Sequence, residues 1–120
     1  MKKSVLIIED EENIAKAEGL ILGDKFKIHY ARDGEDGLKK AKKLMPDLIV
    51  LDLMLPKRGG YDVCYNLRQD DALKNIKVLM VTAKNLPIDH DKGMLVGADY
   101  YITKPFEPEE LLDSVNRLLR

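Results

Sequence analysis

Four short stretches of the chain are aliphatic at nearly every position: Val5–Ile8, Leu48–Leu51, Val78–Val81 and, more weakly, Tyr100–Ile102. Runs with no polar alternation predict strands buried on both faces, as in a parallel sheet covered by helices. Lys27–Ala31 reads as a fifth strand, and its polarity predicts an edge position. Between these runs the apolar spacing changes to three and four, the period of a helix. Ile14, Ala17 and Ile21 predict a helix over Asn13–Leu22, with Gly23 as its stop. Leu38, Ala41 and Met45 predict a second over Glu35–Met45, with Lys39, Lys40, Lys42 and Lys43 on its opposite face and Pro46 beyond its end. Tyr61–Gln69 is a third, with Val63 and Leu67 inward. Pro87 opens a fourth that Gly97 ends, and Pro108–Leu119 is a fifth, apolar at Leu111, Leu112, Val115, Leu118 and Leu119. Gly59-Gly60 and Asp33-Gly34 read as turns. Strands alternating with helices predict an α/β fold with right-handed crossovers. No repeat or linker interrupts the pattern, so residues 1–120 are expected to form one domain.

Composition narrows the function. Lys and Arg total 20 against 21 Asp and Glu, a net charge of −1. That balance gives no pull toward nucleic acid or an anionic membrane. No apolar run approaches the ~20 residues of a membrane span. Lys2 and Lys3 precede only a short apolar run before acids, so no signal peptide is read. The single cysteine, Cys64, fits a packing role in a helix and a reducing compartment. His29 and His90 are isolated and read as surface groups. A cytoplasmic location is expected.

The chemistry gathers where strands end. The first strand runs into Glu9, Asp10, Glu11 and Glu12; the third ends on Asp52; the fourth ends on Thr82; the fifth leads into Lys104-Pro105. In an open parallel sheet ligands sit beyond the carboxyl ends of strands. If the first and third strands are neighbours, Glu9, Asp10 and Asp52 converge, and their mutual repulsion calls for a cation. Hard oxygen donors without a His or Cys cluster suit Mg²⁺, or Mn²⁺ in its place. Glu11 and Glu12 fit the acidic first turn of the first helix.

Glu9-Asp10, Asp52 closing "LIVLD", Pro56 in "DLMLP", Thr82-Ala83 and the Lys104-Pro105-Phe106 of "GADYYITKPF" occur in one order over essentially the whole chain. In this the chain resembles the receiver domain of bacterial two-component response regulators, with the chemotaxis regulator among its members. The resemblance implies a flavodoxin-like, doubly wound (βα)5 three-layer sandwich, its five-stranded parallel sheet in the order 2-1-3-4-5. It implies that Asp52 accepts a phosphoryl group from a sensor histidine kinase or a histidine phosphotransfer protein. Asp10, Asp52 and the backbone carbonyl of Met54 would hold Mg²⁺, with Glu9 acting through a bound water. Glu9 stands where many receivers have aspartate. Lys104 would pair with Asp52 and then with the phosphoryl oxygens, and the Lys104–Pro105 bond would be cis. Thr82 and an aromatic residue, Tyr101, would form the switch, with strand alternation turning only one of Tyr100 and Tyr101 inward. Met54 and Lys84 would flank the attacking water and set the phosphoryl lifetime.

By the same resemblance, output would use the face made by the helix after Pro87, the last strand and the last helix. The partner is a downstream protein or an output domain beyond Arg120, so the chain is either a stand-alone receiver or part of a larger regulator. The winged-helix branch of the family usually has a second acid after "GAD" and an arginine near position 114. Here Tyr100 and Asp113-Ser114 stand instead, so a monomer is expected, with at most a weak dimer on phosphorylation. The chain is not expected to turn over a separate substrate. An Asp-x-Asp phosphatase or nuclease is disfavoured by Glu9-Asp10-Glu11 and Asp52-Leu53-Met54, and no Gly-x-Gly-x-x-Gly follows the first strand. A pseudo-receiver that never takes phosphate is disfavoured by Asp52, Thr82 and Lys104.

Overall fold

A computed structural model describes residues 2–83 and 96–120. Its elements are β1 (Ser4–Ile8), α1 (Glu12–Leu22), β2 (Lys27–Ala31), α2 (Gly34–Leu44), β3 (Leu48–Asp52), α3 (Gly60–Gln69), β4 (Lys77–Ala83), β5 (Tyr100–Lys104) and α4 (Pro108–Leu118). The strands form one sheet in the order β2-β1-β3-β4-β5, every pair parallel. The polar strand β2 lies at an edge, as its composition predicts. The helix expected from Pro87, with Lys84 and His90, lies outside the described residues.

Strand alternation divides the core in two. Leu6, Ile8, Ile49, Leu51, Val78 and Met80 face a layer built on Ala41 of α2 and on Val63, Cys64 and Leu67 of α3. Val5, Ile7, Leu48, Val50, Leu79 and Val81 face Ala15 and Leu22 of α1 and Leu111 and Val115 of α4. Val5–Ile8 and Leu48–Leu51 are buried on both faces, and the carboxylates come directly after these runs at the carboxyl edge of the sheet, where Glu9 follows β1 and Asp52 closes β3.

Three local expectations are corrected. Asp33-Gly34 and Gly59-Gly60 are helix starts rather than free turns. Asp33 caps α2 by accepting from the Asp36 amide at 2.8 Å, and Gly60 opens α3. A Cβ on Gly60 would lie 2.6 Å from the Asp52 carbonyl oxygen, so only glycine lets α3 start this close to the end of β3. Met45 is the left-handed cap of α2 (φ 48°) and is exposed, so it is no core position. Finally, α1 buries Ala15, Glu18, Gly19 and Leu22, while Ala17 is exposed and Ile14 and Ile21 are only half-buried. Small residues at 15 and 19 let the helix approach the sheet, and Tyr30 occupies the space a side chain on Gly19 would need.

Arg68, at the end of α3, positions the entry to β5. Its guanidinium donates to the carbonyls of Gly97 (2.9 and 2.7 Å), Ile76 (2.7 Å) and Lys74 (3.0 Å), and to Asp99 Oδ2 (2.9 Å). Asp99 Oδ2 also accepts from the Val78 amide at 2.7 Å. The chain turns into this clamp through Gly97, whose φ of 92° favours glycine. β5 is thereby registered on β4, which sets Thr103 beside Thr82 and Lys104 beside Ala83.

Candidate functional site

Asp52 is the last residue of β3, buried to 8% exposure, next to β1 in the sheet. Its Oδ1 accepts from the Met54 amide at 3.3 Å. Glu9 follows β1; its amide donates to the Ala31 carbonyl, and its carboxyl is buried at 3% exposure. Glu9 Oε2 accepts from the Glu11 amide at 3.2 Å. Asp10 projects to solvent beside them. Glu9, Asp10 and Asp52 can each bring one carboxylate oxygen within 4.8 Å of the other two. That spacing fits a hard divalent cation held by oxygen donors, with Asp10 on the open side.

Lys104, the last residue of β5, reaches into this cluster. Its Nζ donates to Glu9 Oε1 at 2.6 Å and lies 3.7 Å from Asp52 Oδ2. The expected pairing with Asp52 is thus present at the longer distance, and the short bond goes to Glu9. The Lys104–Pro105 bond is cis. Burial by itself would lower the Lys104 pKa; the hydrogen bond to Glu9 and the charges of Asp52, Glu9 and Glu18 outweigh it and hold the ammonium above its ordinary value. The Asp52 pKa is raised as well. Burial first, and then the charge of Glu9, push it up to about 7 against the pull of Lys104.

Thr82, on β4, is fully buried, and among the described residues its Oγ1 has no hydrogen-bond partner. A buried hydroxyl in that condition is a donor with nothing to bind. Tyr101 packs against the cluster on the α2/α3 side, whereas Tyr100 is exposed with the Arg117 guanidinium 6.0 Å from its ring centre. Alternation therefore turns Tyr101 inward. Met54 is 64% exposed on the loop after Asp52. Glu11 and Glu12 are exposed at the start of α1, and Glu12 pairs with Lys16 at 3.2 Å.

Sequence reasoning missed Glu18. It is 2% exposed on the inner face of α1, and among the described residues its buried Oε1 has no partner. Burial first, then Glu9 and Asp52, raise its pKa to about 8, with Lys104 pulling down. The signal was a charge inside an Ala15–Leu22 stripe, which hid the true buried face.

A family model described as the response regulator receiver domain matches residues 5–116. The alkaline phosphatase synthesis transcriptional regulatory protein PhoP of Bacillus subtilis is 44% identical over the whole chain, which covers 50% of that protein. Response regulator ArlR of Staphylococcus aureus is 41% identical over 97% of the chain and 52% of its own length. The chain thus spans about half the length of these curated relatives. Among solved structures, a putative response regulator of Chloroflexus aurantiacus superposes with a TM-score of 0.93 at 33% identity, over 99% of this chain and 98% of the other. Chemotaxis protein CheY4 of Vibrio cholerae gives 0.92 at 31%, over 99% and 100%.

Proposed function

Since the chain belongs to the response regulator receiver family, we propose that it is the phosphoacceptor module of a two-component signalling system, with Asp52 as acceptor. The observation that carries this reading is the convergence of Asp52, Glu9, Asp10 and Lys104 at the carboxyl edge of one sheet. Residues 1–120 act as one receiver unit.

The donor is a phosphohistidine on a sensor kinase or a histidine phosphotransfer protein. An Asp52 oxygen attacks phosphorus, the P–N bond breaks, and its electron pair returns to the imidazole of the donor. Asp10, Asp52 and the Met54 carbonyl would hold Mg²⁺, or Mn²⁺ in its place, with Glu9 acting through a bound water; the ion would supply charge neutralisation for the acceptor and the phosphoryl oxygens. Lys104 stands close enough to Asp52 to stabilise the same charge. Thr82 Oγ1 gains its missing acceptor in a phosphoryl oxygen. Tyr101 follows Thr82 inward and changes the face made with β5 and α4. Met54 and Lys84 flank the water that later hydrolyses the acyl phosphate.

The protein turns over no separate substrate; it promotes its own phosphorylation and slow dephosphorylation. The system acts in the cytoplasm, a reading the single free cysteine, Cys64, supports. The similarity to a protein named a transcriptional regulator, over half that protein's length, supports output through a second domain or a downstream protein. The receiver itself makes no contact with DNA or membrane and is a monomer, with weak dimerisation on phosphorylation.

Incubation with acetyl phosphate and Mg²⁺ tests the reading by mass spectrometry. A phosphoryl adduct that requires both the metal and Asp52 is expected. No adduct, despite demonstrated Mg²⁺ binding, would leave a binding module that never takes phosphate.

A further inference from the structure

Glu18 is out of place by packing alone. Its helix neighbours on the buried face are Ala15, Gly19 and Leu22, and an apolar side chain would suit that face. Burying a carboxyl oxygen without a partner costs stability. Glu18 and Lys104 both line a groove of about 560 Å³ between α1 and the segment after β5. The two groups interact electrostatically.

Lys104 meanwhile holds acids that a cation would claim. Its one short bond is to Glu9, and its next neighbour is Asp52. A cation on these acids would take both acceptors from the ammonium, whose side chain is only 21% exposed. A largely buried ammonium needs another acceptor. Among the described residues Glu18 Oε1 is an acceptor without a donor, and Glu18 borders the same groove as Lys104.

We propose that Glu18 is the second seat of the Lys104 ammonium, receiving it when a divalent cation takes Glu9 and Asp52, and so is a positioning residue that raises the affinity of the acid cluster for the cation. The lysine exchanges seats instead of being stranded. This rests on the reading of Glu9, Asp10 and Asp52 as the cation site.

A double-mutant cycle on Mg²⁺ binding tests it, read by isothermal titration calorimetry on the unphosphorylated chain. Glu18→Leu is expected to weaken Mg²⁺ binding roughly threefold to tenfold, the scale of coupling between neighbouring charges. In a Lys104→Met background, where no ammonium needs a seat, the same change should have little effect. Equal weakening in both backgrounds would show that Glu18 acts on the cation site without Lys104 and overturn the proposal; so would no weakening in either. Glu18→Met serves in place of leucine should the leucine variant fail to fold. A wild-type chain that binds no Mg²⁺ would instead overturn the cation site itself.

Discussion

Lys104 is bonded to Glu9 more closely than to Asp52: its Nζ lies 2.6 Å from Glu9 Oε1 and 3.7 Å from Asp52 Oδ2. Asp52 is therefore held within the field of the ammonium but is not tied to it. A tight Lys104–Asp52 bond would have to break before phosphorus approached. The bond to Glu9 keeps the lysine close by without a short bond to the Asp52 oxygens. Glu9, which carries one carbon more than aspartate, has the reach to make that bond.

Removing the ammonium should harm both stability and chemistry. Lys104→Met leaves Glu9 and Asp52 facing one another in a buried site. Breaking such a pair is strongly destabilising, although protonation of one acid limits the loss. Roughly 2 kcal/mol is expected without metal, read by urea unfolding. Labelling by acetyl phosphate should slow by about a hundredfold, as when one stabilising charge is lost from a polar transition state. An unchanged labelling rate would remove Lys104 from the mechanism.

Asp52→Asn should abolish the adduct and yet stabilise the metal-free fold. Burial and Glu9 raise the Asp52 pKa from 3.8 to about 7. Ionising it in the folded chain is thus unfavourable, and asparagine avoids that step. At pH 8 without metal the variant should be more stable by an amount on the order of 1 to 3 kcal/mol. Saturating Mg²⁺ should shrink the gap, because the cation favours the ionised form of the wild type. A gap that Mg²⁺ does not alter would show that Asp52 is no ligand.

Thr82→Val should be nearly silent in the resting protein. The Thr82 hydroxyl is buried and unbonded, so no hydrogen bond is lost, and a change within about 0.5 kcal/mol is expected. The difference should emerge on addition of beryllofluoride, an acyl-phosphate mimic. The wild type then gains a bond from Thr82 to a charged group, worth roughly 1.5 to 3 kcal/mol, and the variant does not. Thermal unfolding with and without the mimic measures both effects. Equal stabilisation of the two chains would exclude Thr82 as a phosphoryl contact.

Met54 should affect lifetime and little else. Its side chain is largely exposed at the mouth of the site, so Met54→Asn should leave stability nearly unchanged. An amide there can hydrogen-bond and orient water, which the thioether does poorly. Loss of the phosphoryl group from purified adduct should quicken by about tenfold. Identical decay curves would refute the water-excluding role.

The sheet and the acids at its edge were legible because each expresses one strong local constraint. Val5–Ile8 and Leu48–Leu51 are apolar without alternation, which only a two-sided burial explains. Glu9, Asp10 and Asp52 follow directly after these runs, at the carboxyl edge of the sheet. The orientation of α1 was not legible, because two stripes compete on that helix. Ile14, Ala17 and Ile21 make the more apolar one, but the fit is decided by volume: Ala15 and Gly19 are small enough to lie against the sheet. Met45 misled for a related reason. Its side chain continued the helical spacing, but the backbone had already turned left-handed ahead of Pro46. The Arg68 clamp left no local signal, since its acceptors are carbonyls distant in sequence.

Glu18 also makes stability depend on pH in a direction that can be worked out. Its pKa is 4.5 when unburied and about 8 in the fold. Between these values the folded chain holds a proton that the unfolded chain has shed. The unfolded state then binds fewer protons, so stability falls as pH rises through this window and levels off above about 8. Glu18→Leu removes the proton-binding difference and fills the space with an apolar side chain. The variant should therefore be close to the wild type near pH 4.5 and progressively more stable toward pH 8, reaching a few kcal/mol, an order-of-magnitude figure. Urea unfolding of both chains in a chelator, at several pH values across the window, measures the gap. A gap that stays constant with pH would mean that Glu18 ionises in the fold as it does in water, and that its carboxyl finds a partner or a path to solvent.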